Sequence, residues 1–309
     1  YAVIENDLRR VLAYSLNSQQ GFMVVGVGIG TTLALNGAAA HAFVHILYKS
    51  LLFMSMGAVL YRVGTVKATE LGGLYRSMPL TTIFCIIGAA SIAAFPLFSG
   101  FVAKSLTLSA LGKEGYLAVW MVLIFASAGV LHYCSIRVPF FAFFAKDSGK
   151  RCKEAPVNML IAMGITAFLC IAIGVYSPWL YSLLPYDVKY EPYTVSHVIG
   201  QSQLLIFSAL AFALLIRFKI YPPAMDTINL DFDVTYRKWL PAIYRWIIHL
   251  TRDGWQSILQ DLRRGVHWFV AYMFRHHGPE GILARTWPTG SMALWVAVLL
   301  GGFLLIYYL

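Results

Sequence analysis

Long apolar runs separated by short charged segments dominate this chain. A helix that crosses a membrane needs about 20 mostly apolar residues. The pattern predicts an all-α polytopic transmembrane bundle of about seven spans, and Pro178 is an alternative end for the fifth. The predicted spans are residues 11–31, 35–61, 80–111, 116–144, 157–184, 203–220 and 291–309.

The third predicted span is unusually long and contains the segment Phe95-Pro96-Leu97-Phe98-Ser99-Gly100. Proline removes a backbone donor and glycine loosens the helix. We therefore expect one broken helix, with Pro96 and Gly100 at the break.

The composition agrees with a membrane protein. The chain is 59% hydrophobic and 12% charged, and its mean hydropathy is +0.68, whereas soluble domains carry roughly 25% charged residues. The four cysteines form neither a CxxC motif nor a zinc spacing, so free thiols are expected.

Basic residues are distributed unequally between the two sets of alternating loops. Eleven fall on the side that follows the even-numbered spans, and two fall on the other side with Glu114, Asp187 and Glu191. The positive-inside rule makes the first side cytoplasmic. We expect a multi-pass protein of the cell (inner) membrane.

The part of the chain between the sixth and seventh spans differs from a membrane span. Tryptophan, tyrosine and arginine alternate with aliphatic residues through 239–249 and 255–274. This composition favours an amphipathic helix on the cytoplasmic membrane surface, although a soluble helical segment packed on its own bundle is an alternative. No nucleic-acid motif accompanies the basic residues, so no nucleic-acid partner is expected. The predicted divisions are residues 1–184, 185–220, 221–289 and 290–309.

The most informative residues are His41, His45 and Lys49, which lie four residues apart within the apolar second span. At 3.6 residues per turn they share one helical face. Titratable groups at membrane depth are costly and mark functional sites, and histidine changes protonation near neutral pH. This stripe indicates a proton relay, and the alternative is a set of polar contacts between helices. A metal site is not expected, because no HExxH glutamate follows His41 and Lys49 would repel a cation.

Three further residues are candidates for the same path. Lys104 lies four residues after Gly100, where a broken helix can open to a hydrated cavity, although a lysine at a helix end can also extend to the interface. Arg9, beside Arg10, can anchor the first span or supply a fixed charge, because arginine does not release protons at accessible pH. His132 lies within the fourth span without a matching stripe and is a weaker candidate.

Several motifs, in this order, resemble those of the antiporter-like proton-translocating subunits, a family that includes the large membrane-arm subunits of respiratory complex I and subunits of Mrp-type sodium/proton antiporters. The resemblance covers about residues 1–220, and within the family the motifs are most similar to those of the D-type subunits of Mrp antiporters. The motifs are Asp7-Leu-Arg-Arg-Val-Leu-Ala-Tyr-Ser15, Ser18-Gln-Gln-Gly21, the His41-to-Lys49 stripe, Leu71-Gly-Gly-Leu74 and Phe95-Pro96 through Lys104.

The resemblance implies a fold with two inverted five-helix repeats, of which the first five spans here would be the second. It implies that His41, His45 and Lys49 form the central hydrophilic axis and that Lys104 is the terminal proton-releasing lysine. Arg9 stands where the family usually carries lysine, which leaves open whether this position exchanges a proton. The chain is expected to be the C-terminal part of a longer protein whose first repeat provides the input half-channel.

The expected function is that of a proton-translocating subunit in a multisubunit sodium/proton antiporter, with protons moving along a buried His/Lys/water axis. Alternatives are a proton-pumping subunit of an NADH:quinone oxidoreductase-like or membrane hydrogenase complex, and a non-conducting membrane anchor. No flavin, haem or iron–sulfur signature is visible, so a transporter subunit without cofactor is expected rather than an enzyme. The expected partners are other membrane subunits, the lipid bilayer, protons and sodium.

Overall fold

The computed structural model describes residues 1–221, 225, 232–278, 281 and 288–308. The chain divides into two units, Tyr1–Asn229 and Leu230–Leu309. Apart from an isolated backbone bridge between Asp7 and Lys67, the regular structure of the described residues is helical. The predicted all-α helical bundle is therefore confirmed.

The helices follow the order of the predicted spans. In the first unit, α2 packs against α1, α3, α4 and α6, so α2 lies at the centre of the bundle. The helices of the first unit are α1 (Leu8–Ile29), α2 (Thr32–Val63), α3 (Pro79–Ile92), α4 (Ser99–Lys113), α5 (Leu117–Phe144), α6 (Val157–Val175), α7 (Ser177–Tyr181) and α8 (Val195–Arg217). The second unit contains α9 (Leu240–His277) and α10 (Thr289–Tyr308).

Among the described residues, five helices are long and apolar enough to cross a membrane: α2, α5, α6, α8 and α10. The first predicted span corresponds to α1, and the third corresponds to α3 and α4. Because α3 has 14 residues and α4 has 15, neither would cross a membrane alone. The third predicted span is thus an interrupted pair of helices.

Two predicted boundaries were wrong. The fifth span was predicted to end at residue 184 or, alternatively, at Pro178; α6 ends at Val175, and Pro178 lies in the first turn of a short separate helix, where a missing backbone amide is tolerated. The sixth span was predicted to start at residue 203, but α8 starts at Val195 because the Thr194 side chain accepts a hydrogen bond from the His197 amide at 3.4 Å.

The loops of the first unit collect at two ends of the bundle. At the end that we call the basic end, residues 1–7, 64–78 and 145–156 lie together: the Leu8 amide donates to the Val66 carbonyl at 3.0 Å, and Arg62 Nε donates to the Glu154 carbonyl at 2.8 Å. At the opposite end, Asn36 Nδ2 donates to the Tyr186 carbonyl at 2.8 Å.

The basic end contains most of the loop lysines and arginines of the first unit. Its two loops are closely joined, because the Ser148 amide donates to the Gly72 carbonyl at 3.3 Å. Arg151 contacts Asp147 at 2.6 Å, and this arginine, with the Gly149 amide, holds the pKa of Asp147 well below its usual range. The charge segregation deduced from the sequence therefore coincides with one end of the bundle.

In the second unit, α9 is a single helix of 38 residues, Leu240–His277. Pro241 lies in its first turn, where a missing backbone amide is tolerated. Its described side chains are mostly exposed, and aromatic and basic residues alternate along it. The helical character predicted for the middle of 221–289 is present, and its position on a membrane surface stays a prediction.

Candidate functional site

The predicted stripe lies on the buried face of the central helix. His41 is 0%, His45 8% and Lys49 3% exposed. Thr31 caps the start of α2, and Gly64, in the left-handed conformation, ends it. The helix therefore passes unbroken through the bundle and holds all three side chains inside.

His41 belongs to a closed triangle of polar groups. Its Nε2 lies 3.1 Å from Gln19 Oε1 on α1 and 3.0 Å from the Tyr48 hydroxyl oxygen. The Tyr48 hydroxyl also donates to Gln19 Oε1 at 3.1 Å. Ring contacts continue the series, with 6.2 Å between the centroids of His41 and His45 and 5.4 Å between those of His45 and Tyr48.

Lys49 continues the series toward the basic end. Its Nζ donates to the Leu12 carbonyl of α1 at 3.1 Å and to Ser15 Oγ. Ser15 Oγ in turn lies 3.6 Å from Cys134 Sγ on α5. Within the described part of the chain, Lys49 has no ion pair within 4 Å. Its amino group is held by neutral oxygen atoms rather than by a carboxylate.

Lys104 lies on α4 beside the interruption of the helix. In a continuous helix the Ile92 carbonyl would accept from residue 96, but Pro96 has no amide hydrogen. Lys104 Nζ donates to this carbonyl instead, at 2.7 Å. The nitrogen also lies 5.3 Å from the Phe22 ring centroid, and Phe22 lies 5.8 Å from the His41 ring. Phe22 therefore lies between Lys104 and His41.

The interruption has an unusual backbone. Ala94 and Leu97 adopt φ values of 59° and 74°. Residues other than glycine rarely adopt this backbone conformation, which costs about 1–3 kcal/mol per residue. Gly100 is the second residue of α4, and a Cβ there would collide with the Ser91 carbonyl. Pro96 thus lies within the interruption, and Gly100 allows α4 to approach α3.

A second close approach aligns α2 with α4. A Cβ on Gly37 would lie 2.6 Å from Thr107 Oγ1 and 2.8 Å from the Thr107 amide nitrogen. His41 is one turn after Gly37, and Lys104 is one turn before Thr107. The absence of a side chain at residue 37 thus brings the histidine stripe and Lys104 to adjacent levels of the bundle.

Several buried polar atoms of the described residues have no protein partner. Such atoms are generally satisfied by ordered water. In α1, α2 and α4 they are Gln19 Nε2, His41 Nδ1, His45 Nε2 and Thr107 Oγ1. A proton path needs groups of this kind, because water molecules placed between them can complete a chain of hydrogen bonds.

Two predicted site residues lie apart from these contacts. The side chain of Arg9 is exposed near the basic end. His132 is half-buried in a π-helical turn of α5, and its ring contacts Phe212 of α8 at 5.9 Å. In the described structure no hydrogen bond or ring contact joins either one to the stripe, and their roles stay predictions.

The structure adds residues that the sequence interpretation did not assign to the site. Ser15, Gln19 and Phe22 contact the stripe from α1, and Tyr48 does so from α2. The signal was present, since serine and glutamine at positions i and i+4 lie on the buried face of α1.

Arg137 is a further buried cation, and the sequence interpretation missed it. It is 1% exposed, within α5. Its Nη1 donates to the Ala2 carbonyl at 2.6 Å and to the Val3 carbonyl, and its Nη2 donates to the Glu5 carbonyl at 2.7 Å. Arg137 thus attaches the segment before α1 to α5.

The described residues contain no group of three or more His, Cys, Asp or Glu side chains that could hold a metal ion.

Known proteins resemble this chain in sequence and in fold. Residues 1–131 match the family described as "NADH:quinone oxidoreductase/Mrp antiporter, TM". Hydrogenase-4 component B of Escherichia coli is 30% identical over 203 residues, which are 58% of this chain and 30% of that protein. NADH-ubiquinone oxidoreductase chain 5 of Phytophthora infestans is 33% identical over 183 residues, which are 56% of this chain and 27% of that protein. The match thus covers less than a third of the length of these relatives.

Two solved structures show the same fold. The Mrp complex from Dietzia sp. contains a chain that matches 87% of this chain and 32% of its own length, with a TM-score of 0.63 and 23% identity. An archaeal membrane-bound sulfane sulfur reductase matches 100% of this chain and 53% of its own, with a TM-score of 0.58 and 24% identity. Residues 1–131 of this chain are therefore similar to the membrane subunits of NADH:quinone oxidoreductases and Mrp antiporters that this family model describes.

Proposed function

We propose that this chain moves protons through a membrane along His41, His45, Lys49 and Lys104, as one subunit of a larger complex. The observation that carries the proposal is the burial of all four side chains: contacts link His45, His41 and, through Phe22, Lys104, and Lys49 lies one helical turn from His45. Groups of this kind are costly at membrane depth and mark pathways for ions.

The contacts support one order of groups along the proposed path. Starting near the basic end, Lys49 is one turn from His45, and His45 is one turn from His41. Phe22 fills the space between His41 and Lys104, so water beside this ring would complete the connection. Histidine can both accept and release a proton near neutral pH, which suits the two central positions.

The unequal charge of the two ends supports one direction for the proposed path. The basic end would face the cytoplasm under the positive-inside rule. Lys104, at the interruption in mid-bundle, would then be the last group before the outer side. The partners would be other membrane subunits of the same complex together with the lipid bilayer.

Two sources of energy are compatible with this path. The first is the sodium/proton antiport predicted from the sequence. Against it, the described residues place no cluster of carboxylates for sodium beside the four residues of the path. Coupling to a redox reaction elsewhere in the complex is the other. It is favoured by the names of the two relatives described above, which are components of a hydrogenase and of an NADH-ubiquinone oxidoreductase.

The test is proton transport by the complex that contains the full-length protein, reconstituted into vesicles. Lys49→Met and Lys104→Met should abolish transport while the complex assembles normally. Lys113→Met is the matched control, because Lys113 is an exposed lysine at the end of α4. Normal transport in both of the first two variants would refute the proposal and favour a non-conducting anchor.

The energy source can be tested in the same vesicles. Antiport predicts that a sodium gradient alone drives proton movement. Redox coupling predicts that proton movement requires an electron donor and acceptor and is insensitive to sodium.

A further inference from the structure

A cavity at the opposite end of the bundle lies beyond the residues of the proposed path. Its volume is about 660 Å³. Side chains of α4, α5, α8 and the loop 182–194 line it, and its polar groups include Ser109, Glu191, His197 and Gln201. Glu191 is exposed, so the cavity opens to the surface. At about 30 Å³ for each molecule, it has room for about 20 waters.

The cavity reaches the helix interruption from the other side. Gln201 Nε2 donates to the Ala93 carbonyl at 3.3 Å. The preceding carbonyl, that of Ile92, accepts from Lys104 Nζ at 2.7 Å. Two consecutive carbonyl groups thus connect Lys104 on one side with a residue that lines the cavity on the other.

His197 lies one turn before Gln201 on the same helix. Its ring stacks on Phe101, with 4.7 Å between the centroids and 22° between the planes, and Phe101 is one turn before Lys104. His197 Nδ1 lies 2.8 Å from the Pro192 carbonyl. A carbonyl only accepts, so Nδ1 carries the hydrogen and Nε2 is left as the acceptor.

We infer that His197 is the next proton acceptor after Lys104 and carries the proton from the helix interruption to the surface at the opposite end. This inference rests on the proposed function of Lys104. The Lys104 ammonium gives its proton to water beside the interruption, and water in the cavity delivers a proton to His197 Nε2. The imidazolium then releases the proton from Nε2 to surface water, and the neutral ring with hydrogen on Nδ1 is restored.

The charged and titratable groups around His197 are compatible with this role. From the loop, Glu191 and Tyr190 line the cavity. Tyr193, also from the loop, contacts Phe101, the ring on which His197 stacks. From α4, Lys104 is separated from the ring by Phe101. The residues of α5 that line the cavity are uncharged.

The decisive experiment uses the complex with the full-length protein in vesicles. His197→Asn retains a donor for the Pro192 carbonyl and removes the titratable ring. We expect it to lower proton transport at least tenfold without loss of assembled complex. Ser196→Ala, at a neighbouring position that lines the same cavity, should transport normally.

Lys104→Met, measured in parallel, separates the two proposals. If Lys104→Met abolishes transport while His197→Asn transports normally, the assignment of His197 is overturned and the proposed path stands. If Lys104→Met transports normally, Lys104 does not carry the proton, and the assignment of His197 as its acceptor is overturned with it.

A second measurement does not depend on replacing His197. Ser196→Cys places a thiol in the wall of the cavity, and a membrane-impermeant thiol reagent is added from the side of the opposite end. We expect modification to block transport, whereas Ser148→Cys at the basic end should be unaffected by the same addition. Full transport after complete labelling of residue 196 would overturn the assignment of this cavity.

Discussion

Replacing Lys104 with methionine should separate proton transport from packing. Methionine has a similar length and fills the same space without a charge or a donor. The side chain of Lys104 is 2% exposed, and its Nζ donates a hydrogen bond to the Ile92 carbonyl. No ion pair of Lys104 within 4 Å occurs in the part of the chain that the structure describes.

Two opposing contributions determine the expected change in stability. The variant loses a hydrogen bond from a charged donor, which is worth about 1.5–3 kcal/mol. It also removes the cost of placing a lysine in the membrane interior, which is about 2.5–3.5 kcal/mol. The free energy of unfolding should therefore change by less than about 2 kcal/mol, with stabilisation as the favoured sign.

The measurements are thermal unfolding of the purified full-length protein in detergent and proton transport in vesicles. We expect a melting temperature equal to or above that of the unchanged protein, together with loss of transport. A melting temperature lowered by more than about 8 °C with transport retained would refute the reasoning, because Lys104 would then be a structural donor for the broken helix.

Three further substitutions test other parts of the structure. Tyr48→Phe removes the hydroxyl that contacts His41. Transport should fall about tenfold, which corresponds to about 1.4 kcal/mol in the barrier. It should not be abolished, because Gln19 still contacts the histidine. Gly72→Ala should lower the free energy of unfolding by about 2 kcal/mol or more, since φ is 126° there, and thermal unfolding measures it. Arg137→Lys should release residues 1–7 from α5, because one ammonium cannot reproduce the forked contacts to three carbonyls, and hydrogen exchange in that segment should become faster.

The glycine and arginine substitutions each have a matched control. Gly57→Ala, inside α2 and with open space around its Cβ, should not destabilise the protein, and an equal loss in both glycine variants would contradict the argument from φ. Arg62→Lys replaces an arginine whose Nε contacts one carbonyl, and it should leave hydrogen exchange near residues 1–7 unchanged. Unaltered transport in Tyr48→Phe would remove the hydroxyl from the path.

The sequence was sufficient to predict features that depend on local geometry. Residues 41, 45 and 49 share a face because any helix places i and i+4 together. The interruption near Pro96 follows from a missing backbone donor. The separation of basic loops reflects a bias that is visible residue by residue.

Features that depend on how two helices meet could not be predicted in this way. The contact between His41 and Gln19 depends on the relative height and rotation of α1 and α2, which no pattern within one helix specifies. The role of Gly37 depends on Thr107 being opposite to it, and Arg137 depends on a segment more than 130 residues earlier in the chain. The start of α8 was missed because Ser196 and His197 interrupt the apolar pattern, although they lie within the helix.

The helix interruption and the buried lysine are physically one feature. Proline at position 96 leaves the Ile92 carbonyl without its helical donor, and leaving a buried acceptor unsatisfied costs about 1–3 kcal/mol. Lys104 supplies the missing donor, so the same interaction completes the backbone of α3 and holds a titratable nitrogen in mid-bundle. When Lys104 gives up its proton, the neutral amine still has hydrogens to donate to Ile92. The lysine can therefore change its charge without breaking the contact that stabilises the interruption, which is the property that a proton-transfer site within a broken helix requires.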